Sequence, residues 1–555
     1  MDKYFLIAIG GTGMRCLESF VHLCASGLFD NSTIEILTLD TDQNNGNKGR
    51  VEDLIQIYNK VKTNDENTVG GEQRSNTFFS AKLNLFKFFT DYSSVSRSTY
   101  SALTSATSSD AQIIEDNQDL SDLFFDHDTV QQFKLDHGYR AQTHLGSLLM
   151  YHGIIEAARN AKEGKDVKPQ ERQLLQFLHL LNKHASDARV FVFGSIFGGT
   201  GASSIPVIPM AISEALRIIT GGTNTINLDK ILFGSTLLTD YFTFNPPSQN
   251  QLQKDKVIAD SNNFALNSQA AMSFYNGDAT VQKTYKKLYH IGWPAGKKSN
   301  YSEKQNAQVT TGGHDQKNDA HVAELFCAMA AYDFFTEPRE NLTAIKTSQY
   351  VFRSVSTDEN GELELTGASF MGEDKAEIFE NKMGALLSLA HTILSKFDGA
   401  MEDETGTSNL LNYLDETGFQ DYSDLKDSKC EEIDQYFKEY GYKFVHNEVR
   451  FGWIYQIFRS VGSGKFLFSS EAFKTNIDEI KNVDPGAIFL DETHNWDKKG
   501  SMNIFAKDAE KRFNQLIHIF KQPDTLPDDS QGDTLKERFL GHMYNAITTA
   551  QKFEE

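Results

Sequence analysis

The 555-residue chain is too long for one ordinary hydrophobic core, so two or more domains are expected. With 39% hydrophobic and 23% charged residues it has the make-up of a folded globular chain, which excludes a largely disordered one. Its net charge of -22 repels phosphate backbones and argues against nucleic acid as a partner. A single nucleotide stays open, because backbone amides and helix N-termini supply positive potential whatever the net charge.

Cys16, Cys24, Cys327 and Cys430 form no CxxC pair, and Cys16 and Cys24 lie too far apart on one predicted helix to bridge. Neither a disulfide framework nor a zinc site is expected, and a reducing cytoplasm fits. The apolar run Tyr4–Ile9 is too short for a signal-peptide core, and no apolar stretch is long enough to span a bilayer.

In chain order, residues 4–9 read as a buried strand. Gly10-Gly11-Thr12-Gly13 follows, then a helix over Met14–Ser26 and a strand over Ile34–Leu39 that ends in Asp40-Thr41-Asp42. Strand, glycine turn, helix, strand is an opening βαβ unit. Residues 93–110, rich in Ser, Thr and Tyr, read as a polar surface insertion, and His137-Gly138-Tyr139-Arg140 leads into a helix running to Asn160. A second buried strand, Arg189–Ile196, runs into Phe197-Gly198-Gly199-Thr200-Gly201 and a helix over Ser203–Ile219. An apolar, β-branched run at Lys230–Phe244, a helix at Lys254–Tyr275, a strand at Lys287–Trp293, a polar loop at 295–317 and an apolar helix at Asp319–Phe335 complete this part. The alternation of strands and helices calls for an α/β fold with a largely parallel sheet flanked by helices.

Beyond residue 340 the character changes. Strand-like runs at Gln349–Val355 and Glu362–Phe370 precede a helix at Ala376–Phe397, acidic loops at 401–435 and a mostly helical remainder. The division expected is 1–340 for a nucleotide-binding domain and 341–555 for a mostly helical α+β region.

The two GGTG segments carry the chemistry. A phosphate cradle needs inward-pointing backbone N–H groups at a helix N-terminus and residues without a Cβ where the phosphate approaches. Each segment follows a buried strand and opens a helix, and Thr12 and Thr200 add hydroxyl donors. Two other glycine pairs differ in context. Gly221-Gly222 follows a helix and reads as its C-terminal turn, and Gly312-Gly313 lies in a polar loop and reads as a flexible link. Gly11-Thr12-Gly13 also begins a dinucleotide fingerprint, with Asp40 where a ribose ligand stands, but Cys16 replaces the third glycine and the second loop is left unexplained. Neither loop carries the Gly-Lys-Ser/Thr of a Walker site, and HExxH and GxSxG are absent.

From Phe193-Gly194-Ser195-Ile196-Phe197-Gly198-Gly199-Thr200-Gly201-Ala202-Ser203 the chain resembles the tubulin/FtsZ family, whose signature is a GGTG-centred loop between a strand and a helix. Gly10 to Gly13 match its first glycine loop, Asp40-Thr41-Asp42 its Asn/Asp-Thr-Asp segment, and Gly138-Tyr139-Arg140 loosely its third phosphate-side loop. The resemblance spans about residues 1–340.

It implies GTP or GDP as ligand, with Gly198, Gly199, Thr200 and Gly201 on the β- and γ-phosphates and Gly10, Gly11, Thr12 and Gly13 completing the cradle. Asp42 would sit near a phosphate-bound magnesium, Asp40 at the ribose, and Arg140 against the phosphates. The family's central helix falls at Asp319–Phe335, where Asn318 either reads guanine or caps the helix. The family's catalytic acids have no clean copy after Phe335. Asp319 and Glu324 have suitable spacing at the helix start and are the candidates for activating water.

The expected function is a guanine-nucleotide-binding protein assembling head to tail into a homo-oligomer or filament, with GTP hydrolysis at the subunit interface and a protein partner on the C-terminal region. A Rossmann-type dinucleotide enzyme and a nucleotide-gated interaction module without turnover are the alternatives.

Overall fold

The structure is a computed structural model. It describes residues 2–42, 44–63, 71–90, 143–221, 230–246, 248–249, 259–301, 313–314, 316, 318–391, 431–437, 452–461, 465–467, 519–520 and 522–551, with isolated positions at 119 and 123. The expected insertion at 93–110, Arg140, Gly222, Gly312, Cys430 and residues 401–430 of the acidic stretch expected as loops at 401–435 lie outside the described residues, while Glu431–Gln435, the rest of that stretch, is helical.

Seven parallel strands form the central sheet in the order β3-β2-β1-β4-β5-β7-β9. They are β1 (Lys3–Ile9), β2 (Thr33–Asp40), β3 (Lys82–Phe89), β4 (Ala188–Phe193), β5 (Leu232–Leu238), β7 (Tyr285–Ile291) and β9 (Gln349–Arg353), while β6 (Phe242–Thr243) pairs only with β8 (Ser299–Asn300). The central strands are apolar on both faces, as a sheet covered twice requires. On β1, Leu6 and Ala8 enter one core and Phe5, Ile7 and Ile9 the other; on β4, Phe191 and Phe193 oppose Val190 and Val192.

One face is covered by helices α1 (Gly10–Ala25) and α2 (Gly46–Thr63). The other carries α3 (Thr143–Lys162), α4 (Pro169–Lys183), the short α5 (Thr200–Ser204), α6 (Ile208–Ile219), α7 (Phe264–Gly277) and α8 (Ala279–Thr284). Across the first face runs α9 (Val322–Thr336), where every residue except Tyr332 and Thr336 is buried. A helix apolar all round belongs inside the protein, and each fully buried Phe or Leu contributes about 1.5–3 kcal/mol. It lies so close that a Cβ on Gly234 of β5 would meet the Phe334 ring at 2.8 Å. Arg189 closes its C-terminus, donating from Nη1 to the carbonyls of Phe334, Phe335 and Glu337 while Nη2 pairs with Asp2 at 2.5 Å.

Three expectations shift. The first helix starts at Gly10 rather than Met14, so the glycines belong to its first turn. The central helix starts at Val322, capped by His321 rather than Asn318: His321 Nδ1 accepts from the Ala323 N–H, and Glu324 Oε2 accepts from the His321 N–H. Finally, the boundary at 340 cuts the sheet, because β9 pairs with β7. Beyond it come α10 (Arg339–Ala344), α11 (Glu373–His391), α12 (Glu431–Gln435), α13 (Gly452–Val461) and α14 (Leu535–Gln551). Phe379, Tyr436, Trp453 and Tyr544 from this region join the core of α1, α2 and α9. A small sheet of β10 (Ser356–Thr357), β11 (Leu363–Thr366) and β12 (Lys465–Leu467) lies in the same part of the chain.

Candidate functional site

The strand order reverses at β1 and β4. Their outgoing connections leave in opposite directions and open a crevice beyond their carboxyl ends, the place where open parallel sheets bind ligands. Both glycine loops emerge there. α1 starts after Ile9 and α5 after Gly199, and neither start has a side-chain cap or an acidic residue in its first turn. The N-terminal N–H groups of both helices are therefore left to a ligand or to water. The loops abut: a Cβ on Gly10, whose φ is +65°, would stand 3.0 Å from Thr200 Cβ.

The glycines divide into two kinds. A Cβ on Gly13 would lie 2.6 Å from the Phe193 carbonyl oxygen, and one on Gly201 would lie 2.6 Å from that of Ser195. These two are required by the close packing of helix on strand. By contrast, a Cβ on Gly198 would meet only Ser195 Oγ at 3.3 Å, and one on Gly11 only side-chain amide atoms at 3.3–3.6 Å. Both contacts are close, but they end on side-chain atoms rather than backbone, so packing holds these two glycines less firmly than Gly13 and Gly201 and leaves room for a ligand to account for them. Gly199, Thr200 and Thr12 are half-buried beside them.

Asp40 and Asp42 close the crevice at the end of β2, and both are buried. Asp40 Oδ1 accepts the N–H groups of Thr41 at 2.8 Å and Asp42 at 3.3 Å, but its Oδ2 has no partner. Burial, reinforced by the neighbouring Asp42, pushes the Asp40 carboxyl up to about 7. The hydroxyls of Thr41 and Thr90 on either side are also buried without a hydrogen-bond partner. Asp42 is engaged instead, accepting from Asn44 N–H at 3.1 Å and from Gly313 N–H at 2.6 Å. Gly313 is thus a docking point rather than a flexible link, and its carbonyl accepts from Gly46 N–H. Gly221 does end α6, with φ at +69°.

Three carboxamides, those of Asn45, Asn47 and Gln316, lie over Gly11, and a fourth, Asn318, joins them through Asn47. Asn45 caps α2 through Oδ1 and donates from Nδ2 to Gln316 Oε1 at 2.8 Å. Asn47 and Asn318 pair reciprocally: Nδ2 donates to Asn318 Oδ1 at 3.1 Å, and Asn318 N–H donates back at 3.0 Å. Asn318 is therefore joined to Asn47, whose amide faces the first glycine loop, in company with residues not singled out from the sequence. The signal available was the run Asn44-Asn45-Gly46-Asn47 just after a strand end.

Glu324 is placed differently from a water-activating acid. It is wholly buried, accepts from Tyr241 OH at 2.7 Å and from His321 N–H at 3.0 Å, and faces Arg15 at 3.4 Å. Burial raises its carboxyl, with Arg15 opposing. Arg15 also pairs with Glu18, which in turn takes Arg50 at 2.8 Å. Burial works against the Arg15 charge, yet Glu18 and Glu324 outweigh it and hold the guanidinium above its usual value. The network ties α1 to α9. Asp319 is half-buried, and its carbonyl accepts from Tyr301 OH at 3.3 Å.

Among the described residues no group of three or more His, Cys, Asp or Glu is arranged to hold a metal, and no helix is long and apolar enough to cross a membrane. No protein-family model matches the chain, and no curated protein and no solved structure matches it either.

Proposed function

We propose that this chain binds a guanine nucleotide, GTP or GDP, in the crevice between β1 and β4, as a divergent tubulin/FtsZ-like protein. One observation carries the reading: two uncapped, acid-free helix N-termini meet at the switch point, with Gly11 and Gly198 less constrained by packing than Gly13 and Gly201. A single such terminus would serve a dinucleotide enzyme equally well, since the sheet order is common to both. The second loop favours a polyphosphate lying across two helix starts.

Magnesium fits the oxygen-rich end of β2. It is a hard ion that takes one or two carboxylates and completes its shell with phosphate and water, so a three-acid cluster is not required. Asp40 Oδ2, lacking a partner, is the oxygen to offer it, with Asp42 holding the loop in place. When bound, the ion would supply charge neutralisation for the phosphates.

Head-to-tail self-association is part of the same reading, with hydrolysis at the interface as its catalytic form. The burial of Glu324 favours the form that binds and responds to nucleotide without turnover by this residue. The test is calorimetric titration of the full chain with GTP, ATP and NAD, followed by Gly11→Ala and Gly198→Ala, where the added Cβ meets side-chain atoms rather than backbone, with a thermal melt of each variant as the check on folding. GTP preferred, and weakened at least tenfold by either substitution, supports the reading. Equal affinity for all three ligands refutes the base assignment, and unchanged affinity in both variants refutes the cradle. Light scattering with GTP tests assembly.

A further inference from the structure

We propose that the carboxamides of Asn45, Asn47, Gln316 and Asn318 form the edge that reads the base, outside the central helix. The inference rests on the nucleotide reading above and deepens it. At the start of α9 the polar side chains are committed to the fold: His321 caps the helix, and Glu324 is sealed between Tyr241, Arg15 and the His321 N–H. Glu324 is wholly buried, so its carboxylate presents no edge to a heterocycle.

The carboxamides are placed differently. Nδ2 of Asn45 and Nδ2 of Asn47 lie 3.3 and 3.5 Å from where a Gly11 side chain would begin, and Gln316 Oε1 lies at 3.6 Å. A nucleotide whose phosphates rest on the first glycine loop has these groups beside it. They also have bonding capacity to spare. Each carboxamide offers two N–H donors and an oxygen with two lone pairs. Gln316 Oε1 and Asn318 Oδ1 each accept a single hydrogen bond, and Gln316 Nε2 and Asn318 Nδ2 have no partner among the described residues. Both side chains are half-buried, so they remain within a ligand's reach.

A carboxamide set edge-on to guanine gives an N–H to O6 and takes the N1–H on its oxygen, two bonds in one plane. Asn45 and Asn47 hold the carboxamides of Gln316 and Asn318 by hydrogen bonds from the start of α2. Nearby in the chain, Gly313 is pinned by the Asp42 carboxylate and the Gly46 N–H. The set is thus a prearranged reader rather than four loose side chains.

The test compares GTP with inorganic tripolyphosphate, both with magnesium, on the full chain and on the Gln316→Ala, Asn318→Ala and doubly substituted variants. Asn45 is left intact because it caps α2. The expected result is GTP binding about tenfold weaker per substitution, with tripolyphosphate affinity unchanged. Unchanged tripolyphosphate binding also shows that each variant is folded. Three results overturn the proposal: unchanged GTP affinity, an equal loss for GTP and tripolyphosphate, or a wild-type chain that binds both equally. The last leaves the phosphate cradle standing. A wild-type chain that takes neither ligand refutes the cradle itself, and the reader with it.

Discussion

Asp40 gives the site a measurable signature in stability. Its carboxyl titrates at about 7 in the folded protein against 3.8 when exposed, so the native state keeps a proton that the unfolded chain gives up. A folded-state value raised in this way stabilises fully below the unfolded value, and the contribution is lost as pH rises through 7. For one such proton, integration from pH 5 to pH 8 gives a loss of about 2.5 kcal/mol. Asp40→Asn keeps the acceptor oxygen for Thr41 and Asp42 N–H but has no proton to release. Urea unfolding at both pH values is therefore expected to show the variant gaining about 2.5 kcal/mol on the wild type between pH 5 and pH 8. A variant-to-wild-type difference that is the same at the two pH values refutes the reasoning. Magnesium with GTP at pH 8 should stabilise the wild type more than Asp40→Asn if Asp40 Oδ2 takes the ion, and equal stabilisation of the two removes Asp40 from the metal's shell.

Lys62 on α2 is buried, with Nζ donating to the carbonyls of Phe79 and Ser80, and burial lowers its amine to about 7. The unfolded chain binds the extra proton here, so stability should rise by about 2 kcal/mol from pH 7 to pH 9, and Lys62→Met should flatten that rise in the same unfolding assay. Arg15→Met leaves Glu18 and Glu324 buried without their shared cation and is expected to destabilise by about 3–5 kcal/mol, read as a lowered urea midpoint. Glu324→Ala should lower the urea midpoint too. A variant with wild-type stability and abolished phosphate release would restore the catalytic role of Glu324. Gly13→Ala is expected to destabilise the apo protein, and Gly11→Ala is not. Thermal melts without nucleotide separate the two.

The sheet was legible because its strands are short apolar runs bounded by glycine or acidic turns. Val190–Phe193 and Phe5–Ile9 have no polar interruption, as strands covered on both faces must be. The glycine loops were legible for the same contextual reason. What sequence alone missed depends on contacts across long separations. The Asn47–Asn318 pair joins residues 271 positions apart, and the Arg15–Glu324 pair joins residues 309 apart. Nothing local in Glu324 distinguishes a catalytic acid from one sealed beneath a tyrosine and an arginine. A change in composition near 340 does not reveal which sheet edge is open, and β9 returns to fill the one beside β7.

The split between packed and bare glycines changes what a GGTG segment records about a chain's history. Gly13 and Gly201 touch backbone oxygens of β4 and of the residues just after it, so the fold retains them whether or not anything binds. On the proposed nucleotide reading, a descendant that no longer bound one would keep half of each motif and drift at Gly11 and Gly198 first. Those two positions, read across relatives of this chain, are the ones that register a living site.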